Sequence, residues 1–172
     1  MQQPPRGQLL IDSSDEEHVV ATFNPILIAA FTRIPHEREL AQIRARVDQA
    51  ISVGVEGGLL YVVARRDMSG GVDPRVRAVF EDMIRQNQGS AGRTAVVVLT
   101  TGFAAAAIRG ALAGLLAIFE RRNALRVFRT VDEACAWLGP HHEVDVRSLR
   151  QAFEQATAGI TTGALARPST RG

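Results

Sequence analysis

The chain has 172 residues, 46% of them hydrophobic and 22% charged, with a formal net charge of +2. That is enough apolar material for one packed domain, and it excludes a chain too charged and too polar to fold. Acidic and basic residues alternate along the sequence instead of gathering into a basic stripe, which argues against a nucleic-acid partner.

Residues 1–16 begin polar and Pro-containing and turn acidic at Asp12, Asp15 and Glu16. They read as a flexible arm, in which Leu9-Leu10-Ile11 is the one stretch able to pair with a sheet edge. Met1–Gly7 lacks the apolar core of a secretory signal. His18–Phe23 is rich in β-formers, Asn24-Pro25 signals a turn, and Ile26–Thr32 is apolar again, which predicts an antiparallel hairpin. After Pro35 the period changes. Leu40, Ile43, Val47 and Ile51 recur at helical spacing between charged residues, and Gly54 and Gly57-Gly58 end the helix.

Leu59–Ala64 is a continuous apolar run, as expected of a strand covered on both faces. Asp73-Pro74 opens a second helix, with Val76, Phe80, Met83 and Ile84 on its inner side. Thr94–Leu99 is another doubly buried strand. Phe103 to about Arg121 forms a long helix, too short and too interrupted by Arg109 for the roughly 20 residues of a membrane span. Leu125–Phe128 is a short strand. Thr130 then caps a helix running through Leu138 and stopped by Gly139-Pro140. The only cysteine, Cys135, lies in that helix among apolar neighbours and reads as a small buried hydrophobe. A lone thiol fits a reducing, cytoplasmic setting. Val146, Leu149, Phe153 and Ala156 predict one more amphipathic helix, and residues 159–172 form a Gly/Thr/Arg tail.

The expected fold is therefore α/β: a mostly parallel sheet of four or five strands, opened by an antiparallel hairpin, with helices packed on it. The expected organisation is an arm (1–16), an α/β domain (17–139), an additional helix (140–158) and a flexible tail (159–172).

This order of elements resembles the STAS family, the fold of anti-sigma-factor antagonists and sulfate-transporter tails, over residues 18–138. The best match runs from Ala95-Val96-Val97-Val98 to Val127-Phe128-Arg129-Thr130-Val131-Asp132-Glu133-Ala134-Cys135-Ala136-Trp137-Leu138. The resemblance implies a regulatory, protein-docking role. It also implies a phosphorylated serine near the start of the second crossover helix. The corresponding Asp73-Pro74-Arg75-Val76-Arg77 holds none, and Ser69 precedes the helix.

Two loops are expected at the carboxyl edge of the parallel strands, where open α/β sheets bind ligands. They are Ser69-Gly70-Gly71 and Thr100-Thr101-Gly102, small and hydroxyl-bearing, each before a helix whose free N–H groups favour anions. On the long helix, Ile108, Leu112, Leu115 and Phe119 share one face. Ala106, Gly110, Gly114 and Ala117 share the opposite one, a small-residue surface open to close approach. Its expected cover is the C-terminal helix around Leu149 and Phe153, a second copy, or a partner helix or lipid.

His141-His142-Glu143 carries metal-ligand side chains, but neighbouring side chains on extended backbone diverge. His18 and His36 stand alone. With no nucleophile–base set and no G-x-S-x-G elbow, no catalytic residue, metal or cofactor is assigned. The sequence thus points to a non-enzymatic interaction module that docks a protein or itself, with a lipid- or nucleotide-binding protein as the alternative.

Overall fold

A computed structural model describes residues 5–52, 54, 56–64, 74, 75, 78, 81, 92–99 and 125–160. Six strands form one sheet: β1 (Leu9–Ser14), β2 (His18–Phe23), β3 (Ile26–Phe31), β4 (Gly58–Val63), β5 (Thr94–Val98) and β6 (Leu125–Phe128). They lie side by side in sequence order. The pairings β1–β2 and β2–β3 are antiparallel, and those from β3 to β6 are parallel. Three helices are described: α1 (Glu37–Ser52), α2 (Val131–His141) and α3 (Val146–Thr157).

The sheet is mixed, and it is one strand wider than the sequence suggests. The difference lies at the N-terminus, placed in a flexible arm from which Leu9-Leu10-Ile11 could reach a sheet edge: these three residues do pair with β2, and the edge strand continues to Ser14. Its acidic residues hide the signal. The pairing shifts between Ile11 and Ser13, so Asp12 is an extra residue. This bulge turns two successive side chains toward α1: Asp12 meets Arg46 and Thr22, and the Ser13 hydroxyl donates to Gln42 at 2.9 Å. A strand that would otherwise read as polar is thereby clipped to a helix.

Inner strands are buried on both sides, which explains their unbroken apolar runs. Ile26, Ile28 and Ala30 of β3 face α2 and α3, together with Leu60, Val62, Ala95 and Val97. Leu27, Ala29 and Phe31 point the other way, with Leu59, Tyr61, Val96 and Val98, and meet Leu40 and Ile43 of α1. The period of two along each strand thus divides one sheet between two cores.

Local signals account for the helix ends. Thr130 is the N-cap of α2, its hydroxyl accepting from the Glu133 N–H at 3.2 Å. Asp145 caps α3 and accepts from the Ser148 N–H at 2.8 Å. Those hydrogen bonds from Ser148 hold the Asp145 carboxyl below its usual range. The predicted stop at Gly139-Pro140 is displaced, because α2 continues to His141 with Pro140 inside its last turn. A proline there removes the hydrogen bond its N–H would make to the preceding turn and crowds that turn's carbonyl, and the helix ends one residue later. Termination falls instead to Glu143, at φ 55, which lets the Val144 N–H bond back to the Gly139 carbonyl at 2.8 Å.

The long-helix face that Leu149 and Phe153 were expected to cover lies outside the described residues. These two residues, with Ala152 and Ala156, are buried in the core formed by α2 and β2. Cys135 is buried as expected, and burial pushes its thiol up to about 12. No helix among the described residues is long and apolar enough to cross a membrane.

Candidate functional site

Ser69, Gly70, Gly71, Thr100, Thr101 and Gly102 lie outside the described residues, as do Ala106, Gly110, Gly114 and Ala117. The described chemistry concentrates elsewhere, around a residue that looks isolated in the sequence.

His18 opens β2 opposite Phe31, the last residue of β3. The register therefore places it at the carboxyl edge of the parallel strands. Its ring stacks on Phe31, with centroids 5.9 Å apart and planes within 8°. The chain leaving β3 supplies Arg33, and the next helix supplies Glu39. Glu39 sits three residues after His36, whose carbonyl accepts the first helical N–H groups of α1. From there the Glu39 carboxylate reaches back to the His36 N–H at 2.7 Å, one half of a capping box. The tight turn before β2 adds Asp15, which accepts from the Glu17 N–H at 2.7 Å and the His18 N–H at 2.8 Å.

The four side chains converge. Arg33 Nη2 lies 2.5 Å from Glu39 Oε1, 3.4 Å from Asp15 Oδ2 and 3.3 Å from His18 Nδ1. Its Nη1 donates to the other Glu39 oxygen at 2.9 Å, which completes a bidentate pair. Arg33 Nε is 3.3 Å from Glu17. His18 Nδ1 is 2.8 Å from Asp15 Oδ1 and 3.5 Å from Glu39 Oε1.

Charge states follow from these contacts. The Glu39 hydrogen bond raises the Arg33 pKa against the opposing effect of burial. Burial alone would raise Glu39, but the Arg33 and His36 hydrogen bonds outweigh it and hold the carboxyl low. Asp15 is likewise opposed by burial, and the Glu17 and His18 hydrogen bonds bring it down to about 2. At neutral pH the cluster contains ionised Asp15 and Glu39 facing a permanently charged guanidinium.

Asp15, His18 and Glu39 also have the ligand types of a divalent-cation site, with their ligand atoms within 4.8 Å of one another. The Arg33 guanidinium contacts all three groups, however. It sits where an ion would and supplies the positive charge, so these residues do not fit a metal while Arg33 holds this position.

At the opposite, amino edge, His142 ends α2 and is 4% exposed. It packs edge-on to His141, with ring centroids 4.8 Å apart. Its ring abuts Gly58, where an added Cβ would stand 2.8 Å from Nε2. Nε2 has no hydrogen-bond partner. Burial, reinforced by His141, lowers its pKa to about 4, so the ring is neutral near pH 7. The His141-His142-Glu143 cluster is thus dispersed: His142 is packed inward, while Glu143 makes an exposed ion pair with Arg6 at 3.1 Å.

Sequence reading missed Asp15, Arg33 and Glu39 as a group. The available signal was the hairpin itself. Pairing His18 with Phe31 fixes residues 15–18 beside residues 31–33, and a Glu three positions after a helix cap falls within reach of both. No family model matches this chain, and no curated protein matches it in sequence.

Proposed function

We propose that the chain is a non-catalytic interaction module of STAS-like architecture that acts by docking another polypeptide. The observation that carries this reading is the closure of the Arg33 cluster. The carboxyl edge is where an α/β sheet holds its chemistry. Here the described acids at that edge are engaged by an arginine, and the histidine is buried against an aromatic ring. General acid–base work needs a group within reach of a substrate and able to exchange a proton near neutral pH. The strongly lowered Asp15, held at about 2, and the bidentate Glu39 are poor candidates for it. As a clasp, the cluster joins the β1–β2 turn, the end of β3 and the start of α1.

A second reading, a lipid- or nucleotide-binding protein, draws support from the strand directions. β4 and β5 are parallel to β3, so both strands end at the same edge, at Val63 and Val98; Ser69-Gly70-Gly71 and Thr100-Thr101-Gly102 follow them in sequence and lie outside the described residues. Native mass spectrometry of freshly purified protein separates the two. The docking reading predicts masses made of polypeptide alone. A stoichiometric adduct with the mass of a nucleotide or lipid would replace it with the second reading.

A further inference from the structure

We propose that β1 is a self-association edge, pairing antiparallel with β1 of a second copy about a two-fold axis near Leu10 and Ile11. The inference rests on the docking reading and names its partner. Among the described residues, β1 ends the sheet, with β2 on one side and no strand on the other. Leu10 and Ile11 are the exposed large hydrophobic residues of the described chain, at 41% and 43%. An edge that offers unpaired backbone groups beside apolar side chains is a template for another strand.

The bulge sets how far such pairing extends. Beyond it, Asp12 and Ser13 turn to Arg46 and Gln42 of α1. Bulges and inward charges of this kind blunt an edge. Leu9, Leu10 and Ile11 precede it and lack such a device. Contact is therefore confined to a short segment, which suits a closed pair better than a growing fibre.

Charge selects the occupant and its direction. The segment is basic at its start, at Arg6, and acidic after its end, at Glu16, with Asp15 and Glu17 on either side of it already facing Arg33. An antiparallel copy brings the basic end of each strand alongside the acidic end of the other, whereas a parallel copy sets like against like. Arg6 is available for this exchange, because its pair with Glu143 is 70% and 79% exposed and contributes little. A two-fold pairing of one strand with itself is self-complementary and closes at two chains.

The test combines light scattering across concentration with cysteine cross-linking. Wild type is expected to move from the mass of one chain toward that of two as concentration rises. Ile11→Lys, at an exposed position, is expected to keep its circular dichroism and weaken association at least tenfold. Cross-linking then reads the axis without adding charge. Cys135 is buried, so an introduced thiol is the reactive one. Leu10→Cys lies near the axis and is expected to form a disulfide-linked dimer on mild oxidation, whereas Ser14→Cys, distant from its own copy, is not. A wild type that stays at one chain's mass at every concentration, with no Leu10→Cys dimer, overturns the proposal. So does a dimer that Ile11→Lys leaves intact. If the single-chain wild type instead captures a different polypeptide, self-pairing falls while the docking reading stands.

Discussion

Two buried histidines lie at opposite ends of the same sheet, and burial has opposite consequences for their surroundings. His18 is stacked on Phe31 within reach of Asp15, Glu39 and Arg33. His142 is pressed against Gly58 with no partner for Nε2, and its proton affinity falls. Equal burial therefore does not mean equal chemistry. At the carboxyl edge the fold supplies enough charge to keep ions ionised. At the amino edge burial, with His141 beside it, lowers the proton affinity of the ring, which stays neutral. One end of the sheet is an ionic clasp and the other is a packed joint.

The largest expected effect comes from breaking the clasp. Arg33→Ala leaves the carboxylate of Glu39, whose side chain is 8% exposed, without its cation. Removing one partner of a buried pair costs about 3–5 kcal/mol, and urea denaturation should find a loss at the lower end of that range. Arg33→Lys should recover only part of it, because an ammonium cannot make the bidentate pair.

The joint is sharpened by pH. The His142 pKa is lowered in the folded protein, from 6.5 to about 4, so between these values the unfolded chain binds more protons. Stability is therefore complete above about pH 6.5 and falls as pH drops toward 4, by about 3 kcal/mol in all. His142→Leu should flatten that slope whatever its effect at pH 7. Asp15 acts in a lower window. Its lowered pKa contributes stability that is present above 3.8 and lost toward about 2, so Asp15→Asn should alter the profile only there.

A smaller effect is expected of Gly58→Ala. The new Cβ would meet the His142 ring at 2.8 Å and Ile26 at 3.2 Å, an overpacking worth about 1–3 kcal/mol. In His142→Ala the same substitution should cost clearly less. A double-mutant cycle measures the difference, and additivity would show that the ring is not what Gly58 accommodates.

Much of the sheet was legible because its inner strands obey one rule. The runs at 26–31, 59–63 and 95–98 are apolar since both faces are covered. The caps Thr130 and Asp145 were equally local, needing only a side-chain oxygen three residues before an N–H. Strand β1 was obscured by Asp12, an acid that becomes acceptable in a strand only when a bulge aims it at Arg46. The clasp was obscured for a related reason. Asp15, His18, Arg33 and Glu39 meet through a hairpin register and a helix start, and no short window of sequence contains them all. The reverse holds for His141-His142-Glu143, adjacent in sequence yet separated by a helix end that buries one side chain and exposes another.

The central claim is that Arg33 is the cation of the carboxyl-edge cluster, which makes that cluster a clasp rather than a reactive centre. Calorimetric titration of the wild-type protein with zinc tests it most directly. The account predicts no saturable binding at the Asp15–His18–Glu39 group. One equivalent bound per chain, and lost in Glu39→Gln, would show that the guanidinium yields to a metal and that this edge is a site for chemistry after all.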